Sequence, residues 1–502
     1  MPTRTAAPEI ERPVPEAGPD TTYAPVHESE PAARAALTAA AAPVAESLFA
    51  ARHLAVTIGL ISAVLLTAFE GMAVSTAMPI AVADLHGLAF YSLAFSAYLT
   101  LSLLGMVLAG QRADRHGPRL PFLGGIGLFG VGLLLAGTAT GMLQFVAGRA
   151  IQGLGGGMVI VSLYVLVGSA YPERLHGKAF SVMATCWVLP GLVGPFISGL
   201  ATEYLSWRWV FLSVAVLVVF PLALLLRPLR RLPRREPVVR TEAEAAAHAA
   251  RVRTVRLCAV LASFAVGLFE FGSQEFNWIG IVLVPIALVL LIPSAPRLLP
   301  RGTLRAARGL PAVIALRGLM AGAYFGIEAF IPLMLVDHRK LSVTMAGLSL
   351  SGAAVSWALA AWLINRPGVQ ARISKARLVR LGIGIAAVAL LGTLAAISPH
   401  TPWWTAAASM FCAAFGMGLA FPNISVLMLE FAEPGEQGSG SAALQVADGM
   451  SCTLTIAVAG SIYHAVNGAD GTGGLVFYVI YGLFIAIAAV GWLVAPRVRP
   501  RC

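Results

Sequence analysis

The clearest shortage in this sequence is charge. Only 12% of its 502 residues are Asp, Glu, Lys or Arg, whereas 58% are hydrophobic, and the mean hydropathy is +0.80. Because a soluble chain of ordinary composition carries about 25% charged residues, this composition excludes a typical soluble globular protein. The sequence therefore predicts an integral membrane protein.

Signals of several other protein classes are also missing. The five cysteines have no spacing typical of metal ligands or disulfides, and no G-x-x-x-x-G-K-[ST] phosphate loop occurs. His53 and His464 are far from other potential ligands, whereas a membrane enzyme would need His, Asp or Glu clustered near one membrane face. The sequence thus predicts no enzyme, no cofactor and no metal site.

What the chain has in abundance is apolar segments. Residues 1–50 are rich in Pro, Ala, Glu and Thr and lack a secretory signal, so they are predicted to form a disordered cytoplasmic tail. The apolar segments that follow have roughly the 17 to 25 residues that a bilayer requires and predict fourteen transmembrane helices. They lie at about 54–80, 88–110, 119–139, 142–170, 179–201, 208–227, 257–275, 277–296, 311–336, 344–364, 378–397, 403–430, 441–466 and 473–495.

Basic residues are concentrated in alternate loops. Twenty-six Lys and Arg lie in one set of loops and the C-terminal tail, against Arg208, Arg339 and Lys340 in the other set. The positive-inside rule then predicts that both termini are cytoplasmic. Since this placement accounts for most of the +11 net charge, the predicted partner is the lipid bilayer and not a nucleic acid.

The chain also repeats itself, as transporters often do. Glycine-rich stretches at 153–158 and 416–419 are about 260 residues apart, and Glu70 and Glu328 have a similar offset. The predicted domains are an N-terminal six-helix bundle at 51–227, a cytoplasmic linker at 228–256, an inserted two-helix hairpin at 257–296 and a C-terminal six-helix bundle at 311–496.

A charged turn with the sequence GQRADRHGPR, at 110–119, joins the second and third segments. Its glycines permit a tight backbone, and its aspartate could pair across the two bundles or lie at a helix N-terminus. Such contacts would hold the cytoplasmic side shut; the alternative is a loop that is only soluble and topology-setting. The predicted gating residues are Gly110, Asp114, Arg115, Gly117 and Arg119.

Charged residues within the apolar segments are the candidates for proton coupling, because a charge at mid-bilayer costs about 2.5–3.5 kcal/mol or more. Glu70 is predicted to be the main proton site and Arg149, at a similar depth, its partner. Glu328 is a candidate for cationic substrate or a second proton, with a purely structural acid as the alternative, and Asp448 ranks third. Glu270, in the predicted hairpin, is interpreted as structural and outside the pathway.

Two further groups of residues complete the predicted site. Small residues in the fifth segment let neighbouring helices approach, and its proline can bend the helix; they are Gly191, Gly194, Pro195 and Gly199. Aromatic and amide side chains could form a central cavity for lipophilic cations, although each could instead face lipid or core. They are Tyr98, Gln152, Tyr164, Trp187, Tyr324, Asn423 and Gln445.

These motifs resemble those of the major facilitator superfamily. The turn at 110–119 resembles its signature G-x-L-A-D-R-x-G-R-K, and Arg149 begins a second signature whose arginine is associated with proton coupling. The stretch 190–199 resembles the antiporter signature G-x-x-x-G-P-x-x-G-G of exporters, with Pro190 and Ser198 in place of two glycines. Fourteen segments with these motifs resemble the drug:proton antiporter branch, in which an aspartate is usual where this chain has Glu70.

The resemblance implies an all-α membrane protein of the major facilitator fold, with fourteen helices arranged as 6+2+6. It further implies a monomeric, inner-membrane exporter of drug-like amphipathic or cationic compounds, coupled to protons and working by alternating access. Two alternatives are an exporter dedicated to one endogenous metabolite or lipid and a non-transporting membrane sensor. The intact charged motifs argue against the sensor, whereas the sequence does not separate the two kinds of exporter.

Overall fold

A computed structural model describes residues 47–87, 90–232, 241–274, 278–433, 435–467 and 474–499. This part of the chain is helical and contains no strand. Thirteen helical stretches within it are long and apolar enough to cross a membrane, which agrees with a multi-pass membrane protein. The predicted cytoplasmic tail lies outside the described residues up to residue 46.

The helices follow one another with short connections, and two predicted segments are each divided into two helices. Pro190 lies in the first turn of the second half of the fifth segment, where its missing N–H removes no helical hydrogen bond. The α-helices are α1 Ala51–Asp84, α2 Tyr91–His116, α3 Arg119–Gly137, α4 Met142–Ala170, α5 Glu173–Thr185, α6 Val188–Tyr204, α7 Arg208–Leu217, α8 Val219–Arg231, α9 Glu242–Gln274, α10 Trp278–Leu298, α11 Leu310–Leu333, α12 Val343–Leu363, α13 Pro367–Arg372, α14 Lys375–Ile397, α15 Trp404–Phe431, α16 Gln437–Asn467 and α17 Leu475–Val494.

Helix α9 is longer than its predicted segment. It begins at Glu242, within the stretch 228–256 that is predicted as a linker. The residues EAEAAAHAAR at its start are mostly Ala and Glu, which favour helix even without apolar burial. Part of the predicted linker, residues 233–240, lies outside the described residues.

The same packing pattern occurs twice in the chain. Helix α4 packs against both α2 and α3, and α15 packs in the same way against α12 and α14. Likewise α1 packs against α6, and α11 packs against α16. The two sets meet where α2 contacts α16 and where α5 contacts α15, while α9 pairs with α10 and lies against α2 and α16.

Close contact between α2 and α4 depends on glycine. A Cβ atom added to Gly153 would lie 2.1 Å from the carbonyl oxygen of Tyr98, and one added to Gly157 would lie 2.0 Å from that of Ser102. Both distances are far shorter than real carbon–oxygen contacts. The glycines therefore let the two backbones touch, and this contact brings Tyr98 close to Arg149.

Candidate functional site

Glu70 and Arg149 form a buried ion pair between α1 and α4. Their exposed fractions are 1% and 3%, so neither charge is solvated by bulk water. Nη1 of Arg149 donates to Oε1 of Glu70 and also, over 2.7 Å, to Oε1 of Gln152. The pair joins α1 to α4 through two residues that are 79 positions apart in sequence. Gln152 belongs to the same cluster.

The surroundings of this pair leave part of it unsatisfied. The Tyr98 ring lies 4.5 Å from the Arg149 guanidinium, within the range of a cation–π contact. Oε2 of Glu70 and Nε2 of Gln152 are buried and have no hydrogen-bond partner among the described residues. Such groups are costly to bury. The free carboxylate oxygen is thus available to a proton or to a polar group of a ligand.

A second ion pair, between buried Arg317 and partly exposed Asp448, lies in the other half of the chain. Nη2 of Arg317, in α11, donates to Oδ2 of Asp448, in α16, over 2.7 Å. The Arg317 guanidinium also lies 3.7 Å from the centre of the Phe421 ring. In each half, therefore, a buried arginine contacts both a carboxylate on another helix and an aromatic ring.

Glu328 differs from these carboxylates because it has no ionic partner. It is partly buried on α11, one turn after Tyr324, and makes no hydrogen bond or ion pair within the described part of the chain. The ring of Tyr324 packs edge-on against Phe325 and Trp357, at centroid distances of 5.2 and 5.7 Å. Glu328 therefore lies beside an aromatic group and forms no ion pair with any described residue.

Asp114 links α2 to the N-terminus of α16. Its Oδ1 accepts a hydrogen bond from the backbone N–H of Gly438 over 2.6 Å, and its Oδ2 accepts one from the N–H of Ser439 over 2.8 Å. The hydroxyl of Ser439 donates to the same carboxylate. The carboxylate thus satisfies N–H groups that have no partner within their own helix and lies at the positive end of the helix dipole.

The backbones of α2 and α16 touch beside Asp114. A Cβ on Gly110 would lie 2.6 Å from the carbonyl oxygen of Gly438, and a Cβ on Gly438 would lie 2.4 Å from that of Gly110. Any side chain at either position would separate the helices. The helices are therefore closed against each other at the end of α2 that carries Arg112 and Arg115, here called the arginine-rich end.

The other residues of the charged turn have different surroundings. Gly117 ends α2 with a φ of 76°, a left-handed value that favours glycine. Arg115 is exposed, whereas Arg119 is half-buried and its Nε has no hydrogen-bond partner in the described chain. Nearby, Nε of Arg256 in α9 donates to Oε1 of Gln111 over 2.9 Å. Because α2 continues to His116, this bond attaches α9 to the last turns of α2.

The small residues of α6 provide only part of the close packing predicted for them. A Cβ atom added to Gly194 would lie 3.4 Å from Cβ of Met72 in α1, but nothing in the described chain lies within 4 Å of one added to Gly191 or Gly199. Ser198, in place of a glycine of the antiporter signature, donates to the carbonyl of Ala73 over 2.7 Å. Helix α6, which contains Pro195, is held to α1 by this hydrogen bond as well as by packing.

The predicted cavity residues have different surroundings in the structure. Tyr98 and Gln152 belong to the Arg149 cluster and Tyr324 to the aromatic group of α11. Tyr164 and Asn423 are buried, and Trp187 is 41% exposed. Gln445 lines a cavity of about 530 Å³ between α2, α9, α11 and α16. Glu270, interpreted from sequence as lying outside any pathway, lines the same cavity.

Comparison with known proteins agrees with this architecture. A sequence model of the Major Facilitator Superfamily matches residues 60–456. The chain belongs to this superfamily. Among the described residues, no group of three or more His, Cys, Asp or Glu side chains could hold a metal ion.

Relatives in the family include proteins named for multidrug transport. The multidrug transporter protein MdtP of Bacillus subtilis is 25% identical over 438 residues, covering 84% of this chain and 77% of that protein. A probable multidrug-efflux transporter of Mycobacterium tuberculosis is 23% identical over 448 residues, covering 88% and 93%.

Solved structures show the same fold at low sequence identity. The proton:xylose symporter XylE aligns with a TM-score of 0.59 and 15% identity, over 87% of this chain and 94% of its own. A bacterial homologue of the iron transporter ferroportin, in an outward-facing state, aligns with a TM-score of 0.63 and 14% identity, over 88% and 98%. The chain is therefore a multi-pass membrane transporter of the major facilitator fold.

Proposed function

We propose that the protein is a proton-coupled exporter of drug-like amphipathic or cationic compounds that works by alternating access. The observation that carries this proposal is the buried Glu70–Arg149 pair, in which one carboxylate oxygen has no partner in the described chain. A buried carboxylate with a free oxygen can bind a proton at that oxygen. The names of the Bacillus and Mycobacterium relatives support the substrate class.

Protonation of Glu70 would change what Arg149 binds. A neutral carboxyl group attracts the guanidinium less strongly, so Arg149 would rely more on Gln152 and the carbonyl of Ala94, to which its Nε donates over 3.4 Å. Through such a change in contacts, protonation of Glu70 can favour one conformation over another. The driving force is the ion gradient, about 2.3 kcal/mol per elementary charge per 100 mV.

We propose that the gate of this transporter is the contact of α2 with α16. Asp114 holds the first turn of α16 and the glycines at positions 110 and 438 let the helices touch, so opening the arginine-rich end has to break these contacts. Arg115, Gly117 and Arg119 belong to the same turn and would act with Asp114.

We further propose a 6+2+6 arrangement of fourteen membrane-spanning segments, in which α2 is added to the thirteen helical stretches described above. The repeated packing of the two helix sets supports two six-helix bundles, and the contacts of α9 support an inserted α9–α10 hairpin. The distribution of Lys and Arg supports a cytoplasmic location for the arginine-rich end and both termini. The protein would then be a monomer in the inner membrane.

The test is efflux of ethidium from energised cells that express the wild type, Glu70→Gln or Glu203→Gln, with and without a protonophore. Glu203 is an exposed acid on α6 and serves as the control. We expect wild type and Glu203→Gln to pump ethidium until the protonophore is added, and Glu70→Gln to be inactive at equal membrane abundance. Normal pumping by Glu70→Gln would reject Glu70 as the proton site. A wild type that moves no dye would favour an exporter dedicated to one endogenous compound.

A further inference from the structure

The cavity that contains Glu270 is separate from the Glu70–Arg149 cluster. It lies where α9 packs against α2 and α16, and its volume of about 530 Å³ is in the range of sites for drug-sized molecules. Helix α9 contributes Val266, Glu270 and Ser273, whose spacing of four and three residues places them on one helix face. The face of α9 that meets the two other helices is thus not fully packed.

Two acceptor atoms in this cavity have no bound donor among the described residues. Oε2 of Glu270 and Oε1 of Gln445 are both buried, and neither has a hydrogen-bond partner in the described part of the chain. No Lys or Arg forms an ion pair with Glu270 there. A carboxylate and an amide oxygen without donors are costly to bury, and a cationic group in the cavity would remove that cost.

The remaining walls suit an apolar body attached to that cation. Leu103 and Met106 of α2 face Met450 of α16, and Phe330 of α11 adds an aromatic ring. Methionine side chains adapt to ligands of different shape, and an aromatic face attracts cations. An apolar wall with one acidic group matches an amphipathic cation better than a sugar or a polyanion.

Glu270 lies far along α9 from the arginine-rich end. Arg256 of α9 is hydrogen-bonded to the charged turn, and Glu270 lies fourteen residues further along the same helix. At a rise of 1.5 Å per residue this corresponds to about 21 Å. Glu270 therefore lies away from the Asp114 contact, whereas the α2 wall of the cavity reaches Met106, one helical turn from Gly110.

We propose that this cavity is a binding site for amphipathic monovalent cations, with Glu270 as the counter-ion and Gln445 as a second acceptor. The ligand is an ammonium group on an apolar or aromatic body. The site is distinct from the proton site and binds its ligand without any ion gradient. It assigns a ligand-binding role to α9, a helix outside the two sets of repeated contacts.

The test is binding of ethidium to the purified full-length protein in detergent, followed by fluorescence anisotropy without a gradient. Glu270→Gln keeps the shape of the side chain and removes its charge, and we expect at least a tenfold loss of affinity. Ser263→Ala is the matched control, since Ser263 is buried on the same helix but does not line the cavity. We expect it to stay within twofold of wild type, and Glu270→Asp to bind better than Glu270→Gln.

A photoreactive cation, ethidium monoazide, locates the bound ligand independently of any substitution. Labelled peptides from α9 and α16 would support the proposal. Wild-type affinity in Glu270→Gln, labelling confined to other helices, or no ethidium binding by the wild type would overturn it. Because binding needs no proton gradient, this result is separate from efflux: lost binding in Glu270→Gln with normal efflux would leave the cavity as a ligand site off the export path.

Discussion

Nη1 of Arg149 donates both to Glu70, in α1, and to Gln152, in its own helix. One nitrogen atom therefore connects a carboxylate that can be protonated with an amide that cannot. Because all three side chains are nearly inaccessible to solvent, loss of one partner cannot be compensated by bulk water. The same geometry that suits proton coupling makes the pair important for stability.

Removing one member of this pair should therefore be more harmful than removing both. Loss of a single partner from a buried ion pair costs about 3–5 kcal/mol, whereas apolar replacement of the whole pair is often close to neutral. We expect Glu70→Leu and Arg149→Met each to lower the unfolding temperature of the purified protein, and the double variant to lower it by less than either single variant. Strictly additive effects would mean that the two side chains do not interact.

Substitution of Gly438 should separate α2 from α16. In Gly438→Ala the new methyl group meets the Gly110 carbonyl, so the helices have to move apart. Gly482→Ala on α17, where nothing lies within 4 Å, is the control. We expect ethidium efflux to fall at least fivefold in Gly438→Ala and to stay within twofold of wild type in Gly482→Ala. Equal efflux by the two variants at equal abundance would argue against a functional role for this contact.

Asp114→Asn should weaken the same contact through hydrogen bonding. Asparagine has one acceptor oxygen where the aspartate uses two, and it loses the negative charge at the N-terminus of α16; each effect is worth about 0.5–2 kcal/mol. We expect slower efflux in Asp114→Asn and none of this loss in Glu433→Gln, an exposed acid near the same end. Unchanged efflux in Asp114→Asn would leave the aspartate with a purely structural role.

Asp448 and Glu328 should differ in their contribution to stability. Asp448→Asn leaves Arg317 buried without a counter-charge, whereas Glu328→Gln disturbs no ion pair in the described chain. We expect the first variant to lower the unfolding temperature clearly and the second to leave it nearly unchanged. Thermal unfolding in detergent, followed by intrinsic fluorescence, measures both. A larger loss in Glu328→Gln would indicate that Glu328 has a structural partner.

Asp84 should make the stability of the folded protein depend on pH in the acidic range. Hydrogen bonds from Trp207 and then Arg208, at 3.0 and 2.9 Å, lower the pKa of this carboxyl below its usual range. A group with a lowered pKa stabilises the folded state above the unfolded-state pKa of about 3.9 and loses this effect as the pH falls through the folded-state value. The difference in unfolding temperature between wild type and Asp84→Asn should therefore be constant from pH 7 to about pH 5 and decrease as the pH falls below about 3.9 towards the lowered folded-state pKa. A difference that persists at low pH would mean that the charge of Asp84 is not involved.

Sequence alone was enough for the all-helical membrane fold and for the family, because hydropathy and length determine what can cross a bilayer and the motifs indicate the superfamily. It could not give the helix boundaries everywhere: the interruption before Pro190 and the early start at Glu242 depend on local backbone and propensity. The charge on Asp114 pointed to a contact, but its partners at Gly438 and Ser439 are more than 320 residues away. No periodicity could have indicated them.

The buried charges illustrate a second limit. The partner of Arg317 in α11 is Asp448, which lies on a helix that sequence order does not place beside α11. Glu270 was interpreted as structural because it lies in an inserted segment. Its surroundings depend on how α9 meets α2 and α16, and tertiary packing alone decides whether that contact leaves a cavity.

The backbone contact of Gly110 with Gly438 affects how fast α2 and α16 can separate. Side chains rotate in picoseconds to nanoseconds, but this contact has no side chain that can rotate, because each backbone rests against the carbonyl of the other. Separating them requires whole helices to move, which takes microseconds to milliseconds. Side-chain fluctuations therefore cannot open the proposed gate, and in that proposal the frequency of helix motion sets an upper limit on turnover.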